Sequence, residues 1–156
     1  MKKSLVYVTV LMLVTISCKK DQAENPNSEW IVDGVSYRGF GITHPAGSAF
    51  DASESTRSGI STGNFISINF NYNYMPKRSG IYPVKFQPND STQCSVTVQI
   101  VTVSGRPIRY TSVDSNSLVT INVSPGGKLA ASFSNIILSY FSTGEIKMVS
   151  GKLEEK

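Results

Sequence analysis

The sequence predicts an all-β protein, an antiparallel β-sandwich of about nine strands, and three observations carry that prediction. Apolar residues recur at every second position through most of the chain beyond residue 28, the period that puts alternate side chains on opposite faces of a sheet. Short clusters of Gly, Pro, Asn, Asp and Ser separate these runs at close intervals. No segment forms a convincing helix.

The strands can be justified in order. Trp30-Ile31-Val32 and Val35-Ser36-Tyr37 flank Asp33-Gly34, a dipeptide that accepts the positive φ angles of a type I′ hairpin turn. In Asn64 to Tyr74 the residues Ile66, Ile68, Phe70, Tyr72 and Tyr74 share one face, while Ser67, Asn69, Asn71 and Asn73 share the other, a half-buried strand with a solvated side. Further runs follow at Ile81 to Phe86, Cys94 to Val103, Ile108 to Val113, Leu118 to Val123, Lys128 to Ser134 and Glu145 to Val149. Ile136-Ile137-Leu138 breaks the alternation after Phe133, which marks a bulge or bend where the strand changes face. Connections this short imply a meander of neighbouring pairs, and such a sheet must fold on itself or close to protect its edges. The alternative to the sandwich is a small closed lipocalin-like β-barrel, and periodicity alone does not separate the two.

Ahead of this domain the chain has a different character. Lys2 and Lys3 are followed by a 12-residue run without charge, Leu5 to Ile16, then Ser17 and Cys18, and Lys19-Lys20-Asp21 return the chain to water. That is the layout of a secretory signal peptide over residues 1–17, too short to span about 30 Å of hydrocarbon as a helix. Residues 18–27 are polar and contain Asn25-Pro26-Asn27, a flexible tether, and residues 28–156 form one domain of 129 residues, enough for a single core.

Charge and cysteine content narrow the function classes. The formal charge of +4 and pI near 9.1 would invite nucleic acid as a partner. Without Lys2 and Lys3, however, 13 basic residues face 11 acidic ones, and the basic residues of the domain form no stripe, so nucleic acid is not expected. If Cys18 is modified, Cys94 is the one remaining thiol and no internal disulfide can form. Cys94 opens an alternating apolar run and reads as a small core hydrophobe.

Catalytic constellations fail on inventory. His44 is the sole histidine, no Gly-x-Ser-x-Gly elbow occurs, and no phosphate-binding glycine pattern is present. Asp33, Asp90, Asp114, Glu154 and Glu155 fall in predicted turns or at the C-terminus, where solvation accounts for them. No catalytic residue, metal or cofactor is therefore predicted. Two binding surfaces are. The long stretch Thr43 to Thr62, rich in Ser and Gly, reads as an irregular loop with His44, Asp51 and Glu54 as a binding loop, since loops of this length tend to be functional or disordered. The polar face Asn69, Asn71 and Asn73 offers amide donors and acceptors to a glycan.

Four resemblances add to this reading. Thr15-Ile16-Ser17-Cys18 resembles a bacterial lipobox, which implies that Cys18 is acylated, becomes the mature N-terminus and anchors the protein to a membrane. Cys18-Lys19-Lys20-Asp21-Gln22-Ala23-Glu24 resembles the charged export tag of Bacteroidetes lipoproteins, which implies the outer membrane and its outer face. The opening Trp30-x-Val32-Asp33-Gly34-x-x-Tyr37 and the strands Leu118 to Ile121, Gly127 to Asn135 and Gly144 to Leu153 look like those of small Bacteroidetes lipoproteins of unknown function, which implies an all-β lipoprotein and no activity. Asp90-Ser91-Thr92 resembles the short O-glycosylation signal of that phylum, with Ser91 as acceptor. The expectation is a lipid-anchored envelope protein that binds a glycan or protein without catalysis. Its alternative is a structural accessory subunit of an outer-membrane complex with no ligand of its own.

Overall fold

The computed structural model describes residues 25–44, 48–54, 63–71 and 74–156. Cys18, the signal segment, most of the tether, Tyr72, Asn73 and the centre of the 43–62 stretch lie outside them.

The described residues form ten strands and no helix. These are β1 (Ser28–Val32), β2 (Val35–His44), β3 (Ala49–Ser53), β4 (Phe65–Phe70), β5 (Gly80–Pro83), β6 (Cys94–Val101), β7 (Pro107–Ser112), β8 (Leu118–Val123), β9 (Leu129–Tyr140) and β10 (Glu145–Glu154). The hairpin β1–β2 turns through Asp33 and Gly34 at φ of 47° and 84°, both left-handed as a type I′ turn requires. From there neighbours pair antiparallel in the order β10-β1-β2-β3-β4-β6-β7-β9, and β9 pairs back onto β10. Eight strands thus close into a barrel, and β8 and β5 continue outward from β9.

The expected β-sandwich is corrected to a closed barrel, and the reason lies in β9. Its first half pairs with β8 (Leu129 to Phe133) and its second half with β7 (Leu138 and Ser139), while its other edge follows β10 throughout. One residue more on β9 than on β10 separates the pairs Phe133↔Gly151 and Ile136↔Val149, and Asn135 takes φ of 51° at that point. The extra residue bends the strand and lets it change neighbours, so the sheet curls round to β10 and β1 without splitting into two layers. The break at Ile136–Leu138 is the sequence trace of this bulge.

The tenth strand, β3, falls where an irregular loop was expected. Its neighbours on both sides are strands, and Ala49, Phe50, Asp51 and Ala52 are all buried, so no alternation of burial marks it. Thr43 and His44 likewise belong to β2. In contrast β4 is shorter than its alternating sequence suggests and ends at Phe70.

Inward side chains fill the barrel. Trp30, Phe50, Ile66, Ile68, Val96, Val98, Ile121, Ile136, Leu138 and Leu153 are each fully buried in one core. Cys94 lies in that core as a free thiol, and burial pushes its pKa up to about 12. One end of the barrel is shut by the C-terminus. Ser28 at the start of β1 exchanges hydrogen bonds with the Glu154 backbone (3.3 and 2.9 Å), and beyond β1 the chain at Gly41 runs directly beside Glu155. Gly41 is required there, since a Cβ would stand 2.0 Å from the Glu154 carbonyl oxygen. The Glu155 carboxylate then accepts from Thr43 Oγ1 (2.5 Å) and from the Leu129 backbone N–H (2.9 Å), tying β2, β9 and the C-terminus together.

Candidate functional site

Two polar groupings emerge, one on the outer wall and one at the open end of the barrel. On the wall, His44 ends β2 and Asp51 sits in β3, which places His44 Nε2 3.4 Å from Asp51 Oδ2. That is an ion-pair distance without hydrogen-bond alignment, for Nε2 makes no hydrogen bond. The opposite oxygen, Asp51 Oδ1, accepts from Ser67 Oγ on β4 at 2.5 Å. Ser67 Oγ also contacts Asn69 Oδ1 at 3.0 Å, and Asn69 Nδ2 reaches Thr97 on β6 at 3.5 Å. Next to this row Gln99 is buried, its Nε2 donating to the Gly63 carbonyl (2.9 Å) and its Oε1 accepting from Arg109 Nε (2.9 Å). Desolvation raises the Asp51 pKa above the ordinary carboxylate value, opposed by the Ser67 hydrogen bond and the nearby His44.

The wall grouping joins two surfaces that the sequence suggested separately, since His44 and Asp51 now neighbour Asn69 through Ser67. It does not include the rest. Glu54 is exposed at the far end of β3, where Asn64 Nδ2 donates to it at 2.7 Å. Asn71 follows the end of β4 in a bend and so leaves the face of Asn69, and Asn73 lies outside the described residues. The solvated polar face is corrected too: Ser67 is buried, and Asn69 is half-buried in the hydrogen-bonded row. Chemically the order is hydroxyl, carboxylate, imidazole. Activation of a serine needs the imidazole beside the hydroxyl, so this order does not activate Ser67. Among the described residues no group of three or more His, Cys, Asp or Glu side chains can hold a metal ion. Ser91 is exposed in the turn before β6, between Asp90 and Thr92, whose backbone N–H and hydroxyl both donate to Asp90 Oδ1 (2.7 and 2.5 Å).

The open end of the barrel is the site that sequence reasoning missed. A cavity of about 350 Å³ opens between the β1–β2 hairpin and the facing strands β6 and β7, with Val32, Val35, Ile100 and Ile108 as apolar wall and Tyr37 and Tyr110 as aromatic wall. Tyr37 stacks on the fully buried Trp30 at 5.8 Å. Across the rim Lys147 Nζ bridges Asp33 Oδ2 (3.1 Å) and Glu145 Oε1 (3.0 Å). The Met148 N–H donates to Asp33 Oδ1 (2.9 Å) and the Tyr110 hydroxyl to Glu145 Oε2 (3.1 Å). Lys147 also lies 5.7 Å from the Tyr110 ring centroid.

The electrostatics of this rim follow from its bonds. The Met148 N–H, and with it Lys147, holds Asp33 below the ordinary carboxylate value, while Lys147 and then Tyr110 do the same for Glu145. The two carboxylates in turn raise Lys147. Burial raises Tyr37 and Tyr110, helped by the charges of Glu54 and Glu145 respectively, so both phenols stay neutral. Two other depressions, of about 290 and 410 Å³, run along the outside near the shut end and are more open to solvent.

No outside match decides between these sites. No protein-family model matches the chain, and no curated protein and no solved structure matches it.

Proposed function

We propose that the chain is a lipid-anchored protein of the outer membrane, a non-catalytic binding module that engages its ligand at the barrel mouth. The observation that carries this reading is the cavity of about 350 Å³ with apolar and aromatic walls and a few fixed polar groups, the usual make-up of a small-ligand site and a usual place for one in a barrel. A ligand of this size is a small amphipathic molecule or one terminal unit of a glycan. The chain enters the barrel at Ser28, beside Glu154, at the shut end. A lipid on Cys18 would therefore be joined to the end of the barrel opposite the mouth, which leaves the mouth free to take a ligand.

The test is a ligand screen on the full chain carrying Cys18→Ser, which has no lipid acceptor, in parallel with Cys18→Ser/Ile108→Trp, which fills the mouth. Binding lost in the second protein is expected; binding equal in both would overturn the mouth assignment. The anchor has its own test, mass spectrometry of the mature N-terminus, where an unmodified Cys18 would refute it. The other reading, an accessory subunit, is favoured by an exposed apolar strip on the outer wall: Ile31, Ile137, Ile146 and Met148 share one face of β1, β9 and β10 and are 37 to 64% exposed. Co-purification of one envelope complex with wild type, lost in Met148→Glu, would favour that role.

A further inference from the structure

We propose that the barrel mouth selects a protonated primary amine carrying a short hydrocarbon chain, the ammonium meeting Asp33 and Glu145 and the hydrocarbon lying against Val32, Ile100 and Ile108. The inference rests on the mouth being the binding site and adds the class of ligand.

The charge count of the rim comes first. Two carboxylates face one ammonium, so one negative charge is left over beside an apolar cavity. Lys147 cannot change that balance by losing its proton, because both carboxylates bond to it. Neither carboxylate can change it by taking one up near neutral pH, because each is bound to Lys147 and to one further donor.

Hydrogen-bonding capacity points the same way. A carboxylate accepts about four hydrogen bonds, and among the described residues Asp33 and Glu145 each receive two, which leaves acceptor sites open on both. An ammonium brings three donors and no acceptor, and a hydrogen bond from it to a carboxylate is charge-assisted. A ligand carboxylate has the opposite fit, since it would have to draw Lys147 away from two partners that already hold it. A neutral alcohol gains the wall contacts without the charge.

The experiment titrates the Cys18→Ser full chain with hexylammonium chloride, hexanol and hexanoate. Trp30, the only tryptophan and stacked on the mouth residue Tyr37, reports by fluorescence, and amide shifts at Val32, Ile108 and Lys147 report location. Hexylammonium is expected to bind about tenfold more tightly than either other probe, a difference of about 1.4 kcal/mol, and added salt should weaken only the amine. Asp33→Asn, which keeps a residue tolerant of the left-handed turn, and Glu145→Gln should each bring the ratio of hexylammonium to hexanol affinity close to one. Mouth shifts with equal affinity for hexanol and hexylammonium, or preference for hexanoate, would overturn amine selection and leave the mouth as the binding site. No saturable mouth shift with any probe would overturn both.

Discussion

The two ends of the barrel use the same chemistry for opposite purposes. At the shut end the Glu155 carboxylate is spent on the protein itself, one oxygen on the Thr43 hydroxyl and the other on the Leu129 N–H, with Gly41 pressed against the neighbouring backbone. At the mouth Asp33 and Glu145 share one lysine and keep acceptor sites beside a cavity. A carboxylate that joins three chain segments is a structural tie, whereas paired carboxylates left with an uncompensated charge beside empty apolar wall can bind something else.

That contrast can be broken first at Gly41. Gly41→Ala puts a Cβ against the Glu154 carbonyl oxygen, so the shut end must open, and a loss of about 3 kcal/mol or more in denaturant unfolding is expected. A fully stable variant would show that the end is not shut as described. Glu155→Ala should cost less, about 1–3 kcal/mol, because it removes two hydrogen bonds to a charged acceptor and leaves their donors to find water. Ligand binding at the mouth should survive it.

The mouth should answer to pH where the shut end answers to substitution. Asp33 and Glu145 have folded pKa values below their unfolded ones, so their contribution to stability is present above about 4.5 and lost as pH falls through the folded values. Asp51, raised by burial, acts with the opposite sign and offsets part of that loss. Asp33→Asn/Glu145→Gln should therefore flatten the acid limb of a stability profile followed through Trp30, and an unchanged limb would assign the acid sensitivity elsewhere.

The smallest signal concerns access. Cys94 lies in the core and pairs with Phe70 at the end of β4, and its thiolate is scarce because its pKa is pushed up to about 12. In the Cys18→Ser chain a thiol reagent at pH 8 should label it only at the rate of unfolding. Glu155→Ala should speed labelling while Glu145→Gln should not, and the reverse result would mean that the mouth is the leak.

How far the sequence revealed all this differs from element to element. The type I′ turn at Asp33-Gly34 and the bulge near Ile136 were legible because each rests on a local backbone demand. Closure was not, since period two is the same whether a sheet folds into two layers or curls into one. β3 was hidden because it is short, flanked by Gly and Ser, and buried on both faces. The wall grouping was half legible: the sequence singled out His44, Asp51 and Asn69, but Ser67, the residue that joins them, looked like part of a wet face. The mouth was illegible for a reason of distance. Asp33 read as a solvated turn acid, and its partner Lys147 is 114 positions away, brought to it only because β1 pairs with β10. One trace was available, a lysine on the same strand parity as the inward-facing Val149.

The β1–β10 pairing also sets when this protein can exist as a barrel. Among the described residues β1 precedes every other strand, and it pairs with β10, which follows them all. Made N-terminus first, the ring cannot close until β10 has been added, because its closing pairs, such as Glu29↔Lys152, join β1 to β10. Ordering of such distant segments comes late in folding.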